Sequence, residues 1–304
     1  MGNMDPAAEK LFLGVDAGGT KTEFLLVGAD GSEVAHFRRE GANAATLGPE
    51  RAAAILASGA AEAIGDGRQP AGAFFGVAGA GVGDNAARLA AALRAALPGV
   101  PLEVETDIRC VIEAAKVEGG CVAAILGTGS CVFADDGESL HRYGGWGWLF
   151  DGAGSGFDIG RDALRLRLTV DDGLAPEGAL AASVGRKLGR RAFDCIPEFQ
   201  SGGRDAVAAF APLVFEAVDA GDPAAKEILS RNMARVATLV RAARAAHPAA
   251  AAGPLVLGGG LCARADLIGP ALSAAIGPDA PEFLFPDRPP VFGALRRAAR
   301  LFGD

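Results

Sequence analysis

Short apolar runs closed by glycine or aspartate alternate along the chain with longer stretches rich in alanine and leucine. Residues 11–15 and 24–27 read as two strands, and Asp30-Gly31 is a turn signal before a third at 33–38. Pro49–Ile64 reads as a helix with proline in its first turn. A strand at 73–77, a helix at 84–97 with Asp84 as N-cap, a strand Leu102–Glu105 and a helix at 107–117 follow. The order is β-β-β-α-β-α-β-α.

The second half repeats it. Cys121–Leu126, residues 131–134 and Leu140–Tyr143 are strands, and a helical stretch runs from about 155 to 246. A strand at 255–257, a helix at 263–275, a strand at 282–285 and a helix Pro290–Phe302 complete the second copy. The pattern predicts an α/β protein of two similar domains, residues 1–117 and 118–304, flanking a cleft. An all-α insertion enlarges the second, and the last helix, about 290–302, can pack back on the first.

Two glycine turns occupy matching points of the copies. Asp16-Ala17-Gly18-Gly19-Thr20-Lys21-Thr22 joins the first two strands of copy one, and Gly127-Thr128-Gly129-Ser130 joins those of copy two. Adjacent glycines let backbone N–H groups approach a phosphate closely. Asp16, leaving a buried strand, is placed to hold Mg²⁺ through water. A plain hairpin needs only one Asn-Gly or Asp-Gly, and Asp30-Gly31 already supplies that. A P-loop is a near miss: Gly14 and Gly19 have the spacing, but Thr20 stands where the lysine belongs and the chain continues as a strand. Gly258-Gly259-Gly260 ends a strand in bare backbone on which a flat ring could lie, although a strand-to-helix turn needs no ligand. Gly144-Gly145-Trp146-Gly147 puts an indole among glycines, which suggests a backbone surface pressed against a ligand. Gly81-Val82-Gly83-Asp84-Asn85-Ala86 fits a dinucleotide fingerprint, with Glu103 and Glu105 downstream as ribose carboxylates. It follows a fourth strand, whereas the fingerprint belongs to a first βαβ unit.

Composition narrows the choices. The 304 residues suffice for two cores, and 50% hydrophobic with 22% charged residues describes a globular chain. Net charge is −8 without a basic run, which argues against nucleic acid as partner. The five cysteines form no C-x-x-C and read as reduced thiols. Residues 1–10 are polar and carry no secretory signal, and no run of 18 apolar residues exists, so a cytoplasmic protein without a membrane partner is expected. The three histidines, His36, His141 and His247, are scattered and support neither a zinc site nor a Ser-His-Asp triad.

Taken with Asn43, Gly76-Val77-Ala78-Gly79-Ala80-Gly81 and Thr106-Asp107, these motifs resemble the sugar-kinase, heat-shock-chaperone and actin superfamily. Within it the chain is similar to N-acetylglucosamine kinases and the related BadF/BadG/BcrA/BcrD ATPases. The resemblance implies two ribonuclease-H-like (actin-like ATPase) domains, ATP with Mg²⁺, an amino-sugar substrate and a homodimer. It implies transfer of phosphate to the 6-hydroxyl of N-acetylglucosamine or glucosamine. Asp107, which could also be a helix N-cap, becomes the catalytic base. Asp16, Gly18, Gly19, Thr20, Lys21, Gly127, Thr128, Gly129, Ser130, Gly258, Gly259 and Gly260 fall to the nucleotide and its metal. Asn43, Gly79, Asp107, Gly144, Gly145, Trp146, Gly147 and Asp151 fall to the sugar. One departure stands out: relatives read Gly-Asp-Glu-Gly-Ser after the Trp loop, where this chain has Asp151-Gly152-Ala153-Gly154-Ser155. The sugar-binding Asp is replaced by Gly152, and Asp151 precedes it by one position. Alternatives are an ATP-hydrolysing activator of a reductase or dehydratase, which would need clustered cysteines for an iron–sulfur centre, and a non-catalytic sugar sensor.

Overall fold

Three antiparallel strands open the chain, β1 (Leu11–Ala17), β2 (Lys21–Gly28) and β3 (Glu33–Glu40). Beyond the helices α1 (Ala44–Leu47) and α2 (Pro49–Ile64), β4 (Gly72–Val77) pairs in parallel with β1. The helix α3 (Asn85–Ala96) leads to β5 (Leu102–Glu105), parallel to β4, and α4 (Ile108–Ala114) follows. The sheet order is β3-β2-β1-β4-β5. β1 and β4 are buried almost throughout, as expected of strands covered on both faces, whereas the edge strand β3 alternates between half-buried and exposed positions.

The second sheet repeats the order. β6 (Cys121–Leu126), β7 (Ser130–Asp135) and β8 (Leu140–Tyr143) are antiparallel, and β9 (Leu255–Gly258) pairs in parallel with β6. The insertion after β8 divides into α5 (Gly156–Asp171), α6 (Ala179–Leu188), α7 (Ile196–Ala208), α8 (Ala211–Asp219), α9 (Pro223–Ala246) and α10 (Pro248–Ala251). After β9 come α11 (Ala265–Ile276), the short β10 (Phe283–Leu284) and α12 (Pro290–Phe302). With order β10-β9-β6-β7-β8, each strand of this sheet matches its counterpart in the first.

This computed structural model describes residues 10–303. The polar, leaderless segment read at the N-terminus falls, but for Lys10, outside the described residues. Two compact units result: the chain up to Val117 together with Pro286 onward, and Glu118–Phe285. The last helix therefore belongs to the first unit, where α12 packs on β1, β4 and α4. Glycines make the close approach possible. A Cβ at Gly14 would lie 2.4 Å from the Leu295 backbone nitrogen, and one at Gly293 would lie 1.9 Å from the Cys110 carbonyl oxygen. Phe12, Phe74, Cys110, Ala294 and Ala298 form the buried contact. Arg297 adds ion pairs to Glu105 at 2.8 Å, Glu103 at 3.4 Å and the buried Glu113 at 3.5 Å. Glu103 and Glu105 are the carboxylates a dinucleotide reading would assign to a ribose; here they tie α12 to β5.

The first hairpin is tighter than the apolar runs suggest. Asp16 pairs with Glu23 and Ala17 with Thr22, so the strands continue to a turn of Gly18, Gly19 and Thr20. Asp84 does not cap its helix with its side chain, contrary to the expectation, and neither does Asp107. Among the described residues no helix is long and apolar enough to cross a membrane.

Candidate active site

In the first unit the chemistry gathers at the C-terminal end of β1. The turn is held by hydrogen bonds from Gly18 N–H to the Lys21 carbonyl at 2.9 Å and from Ala42 N–H to the Gly18 carbonyl at 3.1 Å. Gly41 backs directly onto it, since a Cβ there would lie 2.3 Å from the Gly19 oxygen. Gly19, Thr20 and Lys21 are exposed at the tip. Asp16 lies beside Gly76 in the β1–β4 register, and a Cβ at Gly76 would come within 2.1 Å of the Cys110 sulfur and 3.5 Å of the Asp107 Cα. Burial, and then the negative charge of Asp107, push the Asp16 carboxyl up to about 7, against the opposing pull of Lys21. Two carboxylates brought together with so little cationic compensation form a donor set suited to a divalent metal. The Asp107 carboxylate accepts a hydrogen bond from the Thr106 hydroxyl at 3.0 Å. Cys110, fully buried behind both, has its thiol raised by burial and then by their charges, so it stays protonated and inert.

Glu23 is the residue of this region that sequence reading passed over. It is almost fully buried and meets His36 at 2.9 Å, Arg38 at 3.0 Å and Lys21 at 3.5 Å. Burial pushes its carboxyl up, but hydrogen bonds from Arg38 and His36 hold it below the usual range. Its place opposite Asp16, directly before the apolar run Phe24-Leu25-Leu26-Val27, was the available signal.

Asn43 and Gly79 come together. Asn43 caps α1, its Oδ1 accepting from Ala45 N–H at 2.9 Å. Gly79 has a φ of +78°, and a Cβ there would lie 2.7 Å from that same Oδ1. The loops after β3 and β4 are joined by the bond from Ala44 N–H to the Ala78 carbonyl at 2.9 Å.

In the second unit the turn Gly127-Thr128-Gly129-Ser130 closes through Gly127 N–H to the Gly129 carbonyl at 2.9 Å. Gly258 ends β9 opposite Ile125, and a Cβ at Gly127 would lie 3.9 Å from Gly260 N, so the second and third glycine motifs are neighbours. Gly129 and Gly260 face open space. Gly259 does not: a Cβ there would meet the Leu126 oxygen at 2.4 Å. The Trp loop is fastened to the same turn, with Ser130 Oγ donating to the Ala153 carbonyl at 2.7 Å and Gly156 N–H to the Gly127 carbonyl at 2.7 Å. Trp146 is 68% exposed, with the Arg142 guanidinium over its ring, and Leu149 and Phe150 are more exposed still. Asp151 holds this loop shut. Its Oδ2 accepts from Gly145 N–H at 2.7 Å and its Oδ1 from Ala153 N–H at 3.2 Å. A Cβ at Gly152 would lie 2.9 Å from Oδ1 of Asp158, a buried carboxylate in the first turn of α5 paired with Arg161 and Arg235. Asp158 thus fills the space beside Gly152.

The sequence matches the profile of the BadF/BadG/BcrA/BcrD ATPase family over residues 13–278. The chain belongs to this family. The N-acetyl-D-glucosamine kinase of Dictyostelium discoideum is 27% identical over 244 residues, covering 73% of this chain and 75% of that protein. Among solved structures, a provisionally assigned N-acetylglucosamine kinase from Chromobacterium violaceum superposes with a TM-score of 0.73 at 24% identity, covering 95% of this chain and 98% of that one. A counterpart from Porphyromonas gingivalis gives 0.74 at 22%, covering 97% and 100%. A ROK family glucokinase from Streptomyces griseus, solved with glucose and AMPPNP, gives 0.62 at 17%, covering 95% and 99%. These likenesses establish the two-domain actin-like ATPase fold.

Proposed function

We propose that this protein is an ATP-dependent sugar kinase that phosphorylates N-acetylglucosamine, or glucosamine, on its 6-hydroxyl. The observation that carries the reading is the meeting of Asp16 and Asp107 at the end of β1, with Asp16 lifted to about 7. Family membership and the activity named for the Dictyostelium relative support it. Asp107 is the base. As the sugar oxygen forms its bond to the γ-phosphorus and the bridging P–O bond to ADP breaks, Asp107 takes the hydroxyl proton. Asp16 would hold Mg²⁺ through water, and that ion supplies neutralisation of phosphate charge. Gly18, Gly19, Thr20 and Lys21 present backbone donors and one cation to phosphate, and Gly127, Thr128, Gly129 and Ser130 form the equivalent turn in the second unit. The Gly258-Gly259-Gly260 backbone is the surface offered to the adenine ring. In the first unit Asn43 and Gly79 are the groups offered to sugar hydroxyls, and in the second the Trp loop, kept in shape by Asp151, is the surface offered to a sugar.

ADP release measured against a panel of sugars tests the reading, with Asp107→Asn as the control. N-acetylglucosamine or glucosamine is expected to lead the panel. Asp107→Asn should keep sugar affinity by calorimetry and lose about 10²–10⁴ in kcat, or roughly 3–5 kcal/mol of barrier. Unchanged turnover would remove Asp107 from the mechanism, and ADP release indifferent to every sugar would remove the kinase.

A further inference from the structure

The histidines that look scattered in the sequence are not scattered in the second unit. His141 on β8 and His247 at the junction of α9 and α10 stack, with ring centroids 3.9 Å apart and planes 21° from parallel. Asp136, in the turn between β7 and β8, lies with Oδ2 2.8 Å from His141 Nε2. One ligand atom from each of the three residues falls within 4.8 Å of the others. We propose that Asp136, His141 and His247 form a binding site for a divalent transition metal, zinc being the ion it suits best.

Three features build the site. Asp136 is aimed: Oδ1 accepts from Glu138 N–H at 3.0 Å and Ser139 N–H at 2.7 Å, which turns Oδ2 toward the imidazoles. His247 is fixed by its backbone, donating to the Ala243 carbonyl at 3.1 Å and accepting from Ala251 N–H at 2.9 Å, with Tyr143 edge-on to its ring. Stacked rings point their nitrogen lone pairs along nearly parallel planes, so one imidazole turns out of the stack as both nitrogens take the same ion. Two nitrogens and one carboxylate oxygen, all half-buried, match zinc and its neighbours rather than Mg²⁺. Water completes the coordination. Zinc bonds of about 2.0–2.2 Å set two ligands roughly 3.4 Å apart, so the 2.8 Å contact opens by about half an ångström as the ion replaces the Nε2 proton, which moves to Nδ1.

The site clips the β7–β8 turn to the end of α9. Its carboxylate lies just past the end of β7 opposite the glycine turn, and a strand of six residues separates them, about 20 Å. It is therefore a structural site apart from the proposed nucleotide chemistry. The test uses the untagged full chain, stripped with chelator and titrated with zinc chloride by calorimetry, with Co²⁺ absorption as a second probe. One equivalent should bind to the parent and to His36→Ala, while His141→Ala and His247→Gln each weaken binding at least tenfold with unchanged circular dichroism. Sugar-dependent ADP release should be the same in the parent, His141→Ala and His247→Gln. Absence of a stoichiometric zinc site in the parent, or equal affinity in the His141 and His247 variants, overturns the proposal. Either result leaves the kinase reading untouched.

Discussion

At Asp16 a single carboxylate joins folding to ligand binding. Its folded pKa is raised to about 7 from an ordinary 3.8, so the folded protein holds this proton more tightly than the unfolded chain does. The sign follows: stability falls as pH rises from about 4 to 7, and the loss is complete above that range. Asp16→Asn removes this loss. Without metal, the variant should melt higher than the parent at pH 8, and the difference should disappear near pH 4. In the parent, Mg-ATP should raise the melting temperature more at pH 8 than at pH 6, because only the ionised carboxylate attracts the cation. The variant should show little shift at either pH. A parent whose metal-free melting profile tracks that of Asp16→Asn across this range would contradict the pairing of Asp16 with Asp107. The sequence marked Asp16 by its position before two glycines. It was silent on the charge state, which depends on burial and then on Asp107 arriving from a distant strand end.

Glycines of the second unit show how an element sorts ligand roles from packing roles. Gly129 and Gly259 both sit in motifs assigned to nucleotide, yet a side chain at Gly129 enters open space while one at Gly259 strikes the Leu126 carbonyl. Gly129→Val should fold with the parent's melting temperature and lose its shift with Mg-ATP, whereas Gly259→Val should melt well below the parent. A fully shifting Gly129→Val would free that turn from phosphate binding. The Trp loop gives a second case. Its motif was plain from the sequence, and the resemblance assigned the displaced Asp151 to the sugar. In the structure the Asp151 carboxylate binds the loop's own backbone, and the neighbouring space is taken by Asp158. No spacing rule connects Asp158 to Gly152; only the start of α5 folding back against the loop does so. Asp151→Ala should therefore loosen the loop, raising sugar KM at least tenfold with ATP KM nearly unchanged and speeding proteolysis near Trp146. Gly152→Asp should lower activity because its Cβ crowds the Asp158 carboxylate.

On the scale of the whole chain the hydrophobic rhythm exposed the duplication, because strands buried on both faces read as apolar runs wherever they occur. Pro49–Ile64, Leu102–Glu105, Cys121–Leu126, Leu140–Tyr143 and Pro290–Phe302 have the bounds that their patterns predict. Less legible was the reason that the first unit needs the end of the chain. That depends on contacts across a long sequence separation: Gly14 against Leu295, Gly293 against Cys110, and Arg297 against Glu103, Glu105 and Glu113. Without α12 the outer faces of Phe12 and Phe74 meet water and Glu113 loses its arginines, a buried carboxylate left uncompensated. A chain ending after Asp287 should consequently lose the first unit while keeping the second, whose core is formed wholly between Glu118 and Phe285. Hydrogen exchange resolves the two outcomes. In the truncated chain β1 and β4 should exchange as unfolded segments, while β6, β9 and α9 remain protected. Ala294→Asp in the full-length chain, which puts a charge into the same contact, should shift exchange in the same strands in the same direction. Native protection of β1 and β4 in the truncated chain would mean that the first sheet stands without its last helix, and that the glycines along that contact serve another purpose.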